Sequence, residues 1–474
     1  MFQTFSSSAS PQNSKHRIAA LRALMKRKKL DWYLVPHSDE HQNEYLPKCA
    51  ERLEWITAFT GSAGFAMIGL KSAYIFVDGR YTTQVKDQVD LNIFNVQDLV
   101  ASPPSSFIQT IAKTNHKIGY DPKLLTIGQL AKWEQSKTKT TFTLTPHENL
   151  IDSIWDERPP APNGKVKLHP TKYAGETPSS KIKRVQHVLK ADGADAMLMS
   201  DPASLAWTFN IRGNDMVHNP LVLGYAIIPA KPNKLPLLFI EDEKLNEVTK
   251  KSLSKICKLM PPSKLESQLK QLAKNANIHC DPNLVSSHFS KIIQASKGTL
   301  IKKRDPVVLL RAIKNQTEIE GAINAHIRDG VACTKFLHWL DTQKQNTITE
   351  IDAVKSLEAF RFNTAKALGS RLEEISFDTI SGAGANGAIV HYRVTDESNA
   401  VLKNNSLYLV DSGGQYKDGT TDITRTIAIG KPPKSAILDF TLVLKGHIAI
   451  AMAKFPMGTR GVDLDVLARM ALWQ

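Results

Sequence analysis

Two aspartates, Asp411 and Asp422, have a residue type and a spacing that could bind a metal ion. Asp411 ends the strand-like run 406–411, and Asp422 lies near the start of a second such run, 420–429. The connector 412–419 is rich in residues that tolerate tight turns, so the two runs are predicted to form an antiparallel hairpin.

The position of the turn decides whether the two carboxylates meet. If the turn is centred between Tyr416 and Lys417, Asp411 and Asp422 are cross-strand partners whose Cβ atoms lie about 4.5–5.5 Å apart. Two anions so close repel each other unless a cation lies between them, and a pair of divalent metal ions would provide it. The alternative is that Asp411 caps a strand end and Asp422 is a solvated strand residue.

A glycine-rich turn lies upstream of the hairpin, at residues 382–387, and is followed by an apolar run that contains His391. The turn also fits the pattern G-x-G-x-x-G, with Asp411 at a later strand end, so a dinucleotide-binding protein is a rival interpretation. That fingerprint needs a helix that opens at the third glycine. The β-branched and aromatic residues of 388–395 predict a strand instead.

Several segments resemble a known family. In the second half of the chain, FDTISGAGANGAIVHYR, YLVDSGGQYKDGTTDITRT and LKGHIAIAMAKFPMGTRG are similar to the catalytic domain of aminopeptidase P, also called Xaa-Pro aminopeptidase. This family consists of dinuclear metallopeptidases of the pita-bread fold. In the first part of the chain, WYLVPHSDEHQNEY, FTGSAGFA and FVDGRY are similar to the three-domain form of that enzyme.

The resemblance implies a function and roles for three residues. Asp411 is expected to bind one metal ion, Asp422 to bridge two, and His391 to lie beside the scissile bond and contact the substrate. The implied cofactors are two divalent ions, Mn²⁺ first and Zn²⁺ as the alternative, which activate a bridging hydroxide. The implied substrates are peptides with proline at the second position, whose fixed φ a shaped pocket can select. A homodimer is also implied.

The chain departs from the family pattern near its end. The family completes its dinuclear site with a histidine in an H-G-x-G-H-G segment and with two glutamates. All of them lie downstream of the helix predicted here for 462–473, whereas this chain stops at Gln474. We therefore expect an incomplete catalytic domain, with the remaining ligands beyond Gln474. A polypeptide of this length is expected to bind metal weakly and to release little product.

Two further alternatives use the same scaffold. A non-catalytic peptide- or histone-binding module would have lost its metal ligands by substitution, but this chain keeps Asp411, Asp422 and His391. Creatinase-like enzymes share the fold and lack the paired aspartates. The residues therefore favour the metallopeptidase.

The chain contains an internal repeat, which sets the predicted domains. At one constant offset, apolar residues of a helix near the start match apolar residues of a second helix, in the pairs Ile18 with Ile182, Leu21 with Val185 and Leu24 with Val188. We predict an α/β (α+β) protein with two homologous creatinase-N-like domains, 1–157 and 158–300, and an incomplete pita-bread domain, 301–474. In the third domain, 316–340 is predicted to be a long helix.

Composition narrows the class of protein. A chain of 474 residues with 42% hydrophobic residues suits a globular protein of two or three domains. No apolar run approaches the ~20 residues that span a bilayer, and the first eight residues lack the apolar core of a secretory signal, so a cytoplasmic enzyme without a membrane partner is expected. The acid-free start would also suit a transit peptide.

The four cysteines form no C-x-x-C pair and are expected to be buried thiols.

The net charge of +15 does not predict a nucleic-acid partner. It comes from 61 Lys and Arg against 46 Asp and Glu, and its basic runs are short, scattered and without interleaved aromatic residues. Solvated helix faces are the simpler explanation.

One more motif suggests a metal. His37-Ser-Asp-Glu40-His41 fits the H-x-x-E-H pattern of inverted zinc peptidases. That site needs both histidines one turn apart on a long helix, but Pro36 precedes the motif and Pro47 follows it closely. We predict a loop that borders the active site or a subunit contact.

Overall fold

The computed structural model describes residues 2–7, 10–137, 141–344 and 346–473, so Gln474 lies outside the described residues. The first unit contains a six-stranded mixed sheet in the order β4-β3-β2-β1-β5-β6. Its strands are Trp32–Pro36 (β1), Phe65–Gly69 (β2), Ala73–Val77 (β3), Phe94–Asp98 (β4), Lys117–Tyr120 (β5) and Thr143–Pro146 (β6). Its helices are Ser14–Arg27 (α1), Arg52–Thr57 (α2), Gln84–Gln88 (α3), Pro104–Ile111 (α4) and Ile127–Gln135 (α5).

The second unit repeats this sheet with the order β12-β11-β10-β8-β13-β14. The strands of the unit are Lys167–Leu168 (β7), Ala196–Met199 (β8), Ile211–Arg212 (β9), Tyr225–Pro229 (β10), Leu237–Phe239 (β11), Lys258–Met260 (β12), Asn277–Cys280 (β13) and Thr299–Lys302 (β14). Its helices are Thr171–Ala174 (α6), Pro178–Ala191 (α7), Pro202–Phe209 (α8), Glu247–Leu253 (α9), Leu265–Leu272 (α10), Ser287–Ala295 (α11) and Pro306–Ala312 (α12).

The two units match in connectivity as well as in strand order. In each sheet the central strand, β1 or β8, pairs antiparallel with the next sheet strand and parallel with the fifth. The predicted repeat helices, α1 and α7, bury the matched apolar positions Ile18 and Ile182. Two homologous α/β units are therefore confirmed. The boundary at 300 stays a proposed one, since β14 continues to Lys302.

The third unit combines four helices with short sheets. The helices are Gln316–Asp341 (α13), Glu350–Ala367 (α14), Lys434–Met452 (α15) and Gly461–Arg469 (α16). The strands are Glu374–Ile375 (β15), Ile380–Ala383 (β16), Ser406–Ser412 (β17), Gly414–Gln415 (β18) and Ile423–Ile429 (β19), and β16, β17 and β19 form one antiparallel sheet. Helices α13 and α14 pack together, and the core between them and the sheet includes Phe336, Leu357 and Tyr408.

The first half of helix α13 faces the third unit with small residues such as Gly321 and Ala325. The apolar residues at helical spacing, Ile323 and Ile327 among them, are more than half exposed, while Ala325 and Asp329 are buried. A Cβ atom on Gly321 would lie 2.3 Å from the carbonyl oxygen of Asp418. The small face thus lets the turn of the β17–β19 hairpin approach the helix backbone.

Helix α15 departs from the expectation that no apolar run is long enough to span a membrane. By length and composition it could cross one, with a mean hydropathy of 1.5 over an 18-residue window, and 6% of that window is buried. A single helix of this kind is weak evidence for a span. It packs against α16.

Candidate metal centre

The hairpin forms as predicted, but in a different register. Asp411 lies opposite Thr424, and Asp422 immediately precedes β19, so the predicted direct pairing of Asp411 with Asp422 is wrong by two residues. The cause is the turn. The backbone N–H of Tyr416 donates to the carbonyl of Gly419 at 2.9 Å, which centres the turn one residue later than predicted.

A shift of two residues keeps both aspartates on the same face of the sheet, because side chains alternate with a period of two. Asp422 is therefore a diagonal neighbour of Asp411. Partial burial raises the pKa of Asp422, and the adjacent Asp411 carboxylate raises it further. Oδ1 of Asp411 is buried and has no hydrogen-bond partner among the described residues.

This pair fits part of a metal site. Carboxylate oxygens suit divalent cations of the Mg²⁺ to Zn²⁺ series, and a buried oxygen without a donor is the kind of atom that a cation satisfies. Within the described residues, no group of three or more His, Cys, Asp or Glu side chains is close enough to hold an ion. Asp411 and Asp422 thus offer two ligands.

His391 lies on a compact loop, and the strand predicted for 388–395 is absent. Residues Gly384–Ala388 form one short 3-10 helix, and no strand or α-helix follows before β17. The geometry therefore does not fit a dinucleotide fingerprint, which needs a helix N-terminus at the pyrophosphate.

A buried carboxylate explains the shape of this loop. Glu350 of α14 has no exposed surface and accepts hydrogen bonds from the backbone N–H of Ala383 at 2.6 Å and of Ala400 at 3.0 Å. It also accepts from Nδ2 of Asn386 at 3.0 Å and from the hydroxyl of Tyr392 at 2.9 Å. Glu350 thus joins the end of β16, the short 3-10 helix and the segment that leads to β17.

The N-terminal segment also holds the loop, and the sequence did not predict this contact. Gln3 exchanges two hydrogen bonds with the backbone of Thr379, at 2.8 and 3.2 Å. Phe5 is buried against Tyr392, and the Arg393 guanidinium donates to the carbonyl of Thr4 at 2.9 Å. No local sequence signal links these distant positions.

A tyrosine of the first unit contacts the histidine directly. The hydroxyl oxygen of Tyr81 lies 2.8 Å from Nδ1 of His391. Burial lowers the pKa of His391 and the nearby Arg80 lowers it further, while acidic groups that include Asp411 oppose the shift. The lowered pKa favours the neutral ring near pH 7, and the ring lies within electrostatic reach of Asp411.

The second unit contributes His218 to the same region. Its Nε2 lies 3.4 Å from Asp378 and its Nδ1 lies 3.8 Å from Glu374. Burial lowers the pKa of His218, but the two carboxylates outweigh burial and raise the pKa to about 9. The carbonyl of His218 accepts a hydrogen bond from Nε2 of Gln415 at 2.9 Å, which ties the second unit to the hairpin.

The H-x-x-E-H residues form a loop and do not converge. Nε2 of His37 lies 3.0 Å from the carbonyl of Glu44, whereas Nδ1 of His41 lies 2.8 Å from the carbonyl of Ser200. Each imidazole is therefore engaged by a different backbone group. The same loop lines a cavity of about 330 Å³. Burial raises the pKa of Tyr45, at the end of the loop, and acidic groups that include Glu44, Asp378 and Asp422 add to the rise.

Comparison with known proteins identifies three matched regions. Two of them, residues 17–154 and 157–318, match the Creatinase/Prolidase N-terminal domain. The third, residues 320–474, matches metallopeptidase family M24.

Curated relatives and a solved structure cover nearly the whole chain. The sequence is 38% identical to a probable Xaa-Pro aminopeptidase P of Talaromyces marneffei, over 98% of this chain and 71% of the relative. It is 37% identical to one of Penicillium rubens, over 98% of this chain and 76% of the relative. The crystal structure of X-prolyl aminopeptidase from Caenorhabditis elegans, described as a cytosolic enzyme with a di-nuclear active site, is similar with a TM-score of 0.89. Its identity is 30%, over 97% of this chain and 77% of that one.

Proposed function

Because the chain belongs to the Xaa-Pro aminopeptidase P family, with an M24 metallopeptidase domain, we propose that it is a metal-dependent aminopeptidase. Its substrates are peptides with proline at the second position, from which it releases the N-terminal residue. The observation that carries this proposal is the adjacency of Asp411 and Asp422 on one face of the hairpin, with His391 within electrostatic range of Asp411.

The proposed metal ligands are Asp411 and Asp422. Their mutual repulsion and the donor-free Oδ1 of Asp411 support this assignment, because a cation would remove both penalties. Two bound divalent ions would supply Lewis-acid chemistry at the scissile carbonyl. We propose Mn²⁺, with Zn²⁺ as the alternative, since two carboxylates provide oxygen ligands.

His391 is proposed to contact the substrate. Its ring is partly exposed, and one of its nitrogens is held by Tyr81. A neutral imidazole offers one donor and one acceptor, so the other nitrogen can orient a peptide at the scissile bond.

We also propose that the protein is a cytosolic homodimer. The description of the Caenorhabditis elegans relative as cytosolic supports the first part. The exposed apolar residues of α13, such as Ile323 and Ile327, support the second, since such stripes commonly lie in interfaces. Sedimentation equilibrium with a charged substitution at Ile327 tests the dimer. An unchanged mass would remove this face from the interface.

An activity assay on an Xaa-Pro peptide tests the function in a polypeptide that also carries the histidine and two glutamates of the family pattern. Hydrolysis should require added Mn²⁺ and stop with a chelator. Asp422→Asn keeps the side-chain shape and removes the charge, so it should lower kcat by at least about 100-fold. The matched control is Asp439→Asn on α15, which should leave turnover unchanged. Metal-independent hydrolysis, or full activity of Asp422→Asn, would contradict the proposal, and peptide binding without turnover would favour a binding module.

A further inference from the structure

Four side chains form a line of hydrogen bonds that ends at the ring of His391. The hydroxyl oxygen of Tyr81 lies 2.8 Å from Nδ1 of His391. The same oxygen lies 2.7 Å from Oγ of Ser62 and accepts the Ser62 backbone N–H at 3.1 Å. Oγ of Ser62 in turn donates to Oε1 of Glu44 at 3.1 Å. Three of the four residues belong to the first unit.

Counting protons gives these hydrogen bonds one direction. The Glu44 carboxylate only accepts, so it receives the single hydroxyl proton of Ser62. Oγ of Ser62 then accepts the single hydroxyl proton of Tyr81. The Tyr81 oxygen is left as an acceptor, and the proton in its contact with His391 must be carried by Nδ1.

We propose that Tyr81 is a positioning residue that holds neutral His391 as the Nδ1–H tautomer and leaves the Nε2 lone pair for the peptide substrate. Nε2 has no hydrogen-bond partner among the described residues. In a neutral imidazole, the hydrogen bond made by one nitrogen decides which nitrogen carries the proton. The inference rests on the proposed role of His391, and it adds a residue of the first unit to the control of the reaction.

Packing keeps the Tyr81 ring in place for this task. The side chain is 2% exposed and makes edge-to-face contacts with Phe59 and with His391, at centroid distances of 5.5 and 5.6 Å. Gly61 lies against both first-unit rings, where an added Cβ atom would come within 2.3 Å of Phe59 and 2.8 Å of Tyr81. The hydroxyl therefore cannot swing away from His391 without disturbing this cluster.

A double-mutant cycle measures whether Tyr81 acts through His391. Tyr81→Phe removes only the hydroxyl and should lower kcat about five- to tenfold, the range of one hydrogen bond, with little change in KM. His391→Ala should lower kcat further. In the His391→Ala background, Tyr81→Phe should change kcat less than about twofold. Tyr33→Phe is the matched control, since Tyr33 is equally buried in the same unit and its hydroxyl accepts the N–H of Leu150 at 3.0 Å.

A spectroscopic measurement tests the tautomer without catalysis. In ¹H–¹⁵N correlation spectra of protein labelled at histidine, the signal that disappears in His391→Gln should have the pattern of an Nδ1–H ring. Tyr81→Phe and, more weakly, Ser62→Ala should convert it towards the Nε2–H form, whereas Tyr33→Phe should not.

The outcomes distinguish the role of His391 from the role of Tyr81. If His391→Ala keeps full activity, the proposed role of His391 is wrong. If His391→Ala loses activity but Tyr81→Phe lowers kcat by the same factor with and without His391, the positioning role of Tyr81 is wrong. The role is also wrong if the His391 ring is the Nε2–H tautomer in the unmodified protein.

Discussion

Arg361 donates two hydrogen bonds to Asp329, at 2.7 and 3.1 Å, and neither side chain has more than 1% of its surface exposed. The same guanidinium donates to Oγ of Ser412, directly after Asp411, and Asp329 accepts from the hydroxyl of Tyr416 in the hairpin turn. One buried ion pair between α13 and α14 thus holds the end of β17 at Ser412 and the hairpin turn at Tyr416, beside the candidate metal ligand Asp411.

Loss of this pair should destabilise the hairpin. Arg361→Met leaves Asp329 as an unpaired buried charge and should reduce the free energy of unfolding by about 3–5 kcal/mol. Urea unfolding measures the change. Arg425→Met on exposed β19 is the control and should stay within about 0.5 kcal/mol. A cost for Arg361→Met no larger than that of the control would show that the pair does not support the fold.

His218 should make stability depend on pH in a defined direction. Its pKa is raised to about 9 in the folded protein, so its contribution is fully present below the unfolded value near 6.5 and is lost as pH rises through 9. The contribution of His218 to the free energy of unfolding is at most about 3 kcal/mol. The groups that face it are Asp378, Glu374, Tyr45 and Arg393, the last through Asp378.

His218→Asn tests this dependence, because asparagine also tolerates the positive φ of 62° at this position. The variant should be less stable than the unmodified protein at pH 6, and the difference should shrink by pH 9.5. A difference of equal size at both pH values would mean that His218 contributes through packing and not through its charge.

Glu350 should control the order of the loop that carries His391. Glu350→Gln keeps the shape of the side chain but replaces one acceptor oxygen by a donor that faces other donors. A loss of about 2–3 kcal/mol is expected. In Glu350→Gln, the backbone amides of residues 384–400 should exchange their hydrogens faster, and those of the first unit should exchange at an unchanged rate. Unchanged protection of 384–400 would contradict this role.

Phe5 should stabilise the same loop from the N-terminal segment. Phe5→Ala empties a buried site against Tyr392 and Val394 and should cost about 3 kcal/mol. Phe362→Ala is the control, because that ring is half exposed. Equal melting temperatures for the two variants would show that the segment does not pack there in solution.

The hairpin and its two aspartates could be predicted from the sequence because they depend on local patterns. The register could not, because the turn is placed by a non-local contact: the Asp418 carbonyl packs on Gly321 of α13. The sequence favoured a strand around His391 because its residues are β-branched and aromatic. It could not show that the segment would form a loop around the buried Glu350 carboxylate, which accepts from Asn386 and Tyr392.

The sequence also could not show that Tyr81 contacts His391 or that His218 contacts the hairpin, since Tyr81 and His218 each lie in a different unit from the hairpin. The resemblance of FVDGRY, which ends at Tyr81, was the one available signal. The apolar spacing of α13 predicted a helix correctly, but the exposed stripe and the buried face could be told apart only in three dimensions.

The most direct test of the proposed centre is anomalous diffraction at the manganese edge, from crystals grown with Mn²⁺ of a polypeptide that also carries the histidine and two glutamates of the family pattern. Two peaks roughly 3.5–4 Å apart should lie against the carboxylates of Asp411 and Asp422, and Asp422→Asn should weaken both. Absence of anomalous density at these carboxylates, or density at His37 and His41 instead, would contradict the assignment of the metal centre to the hairpin.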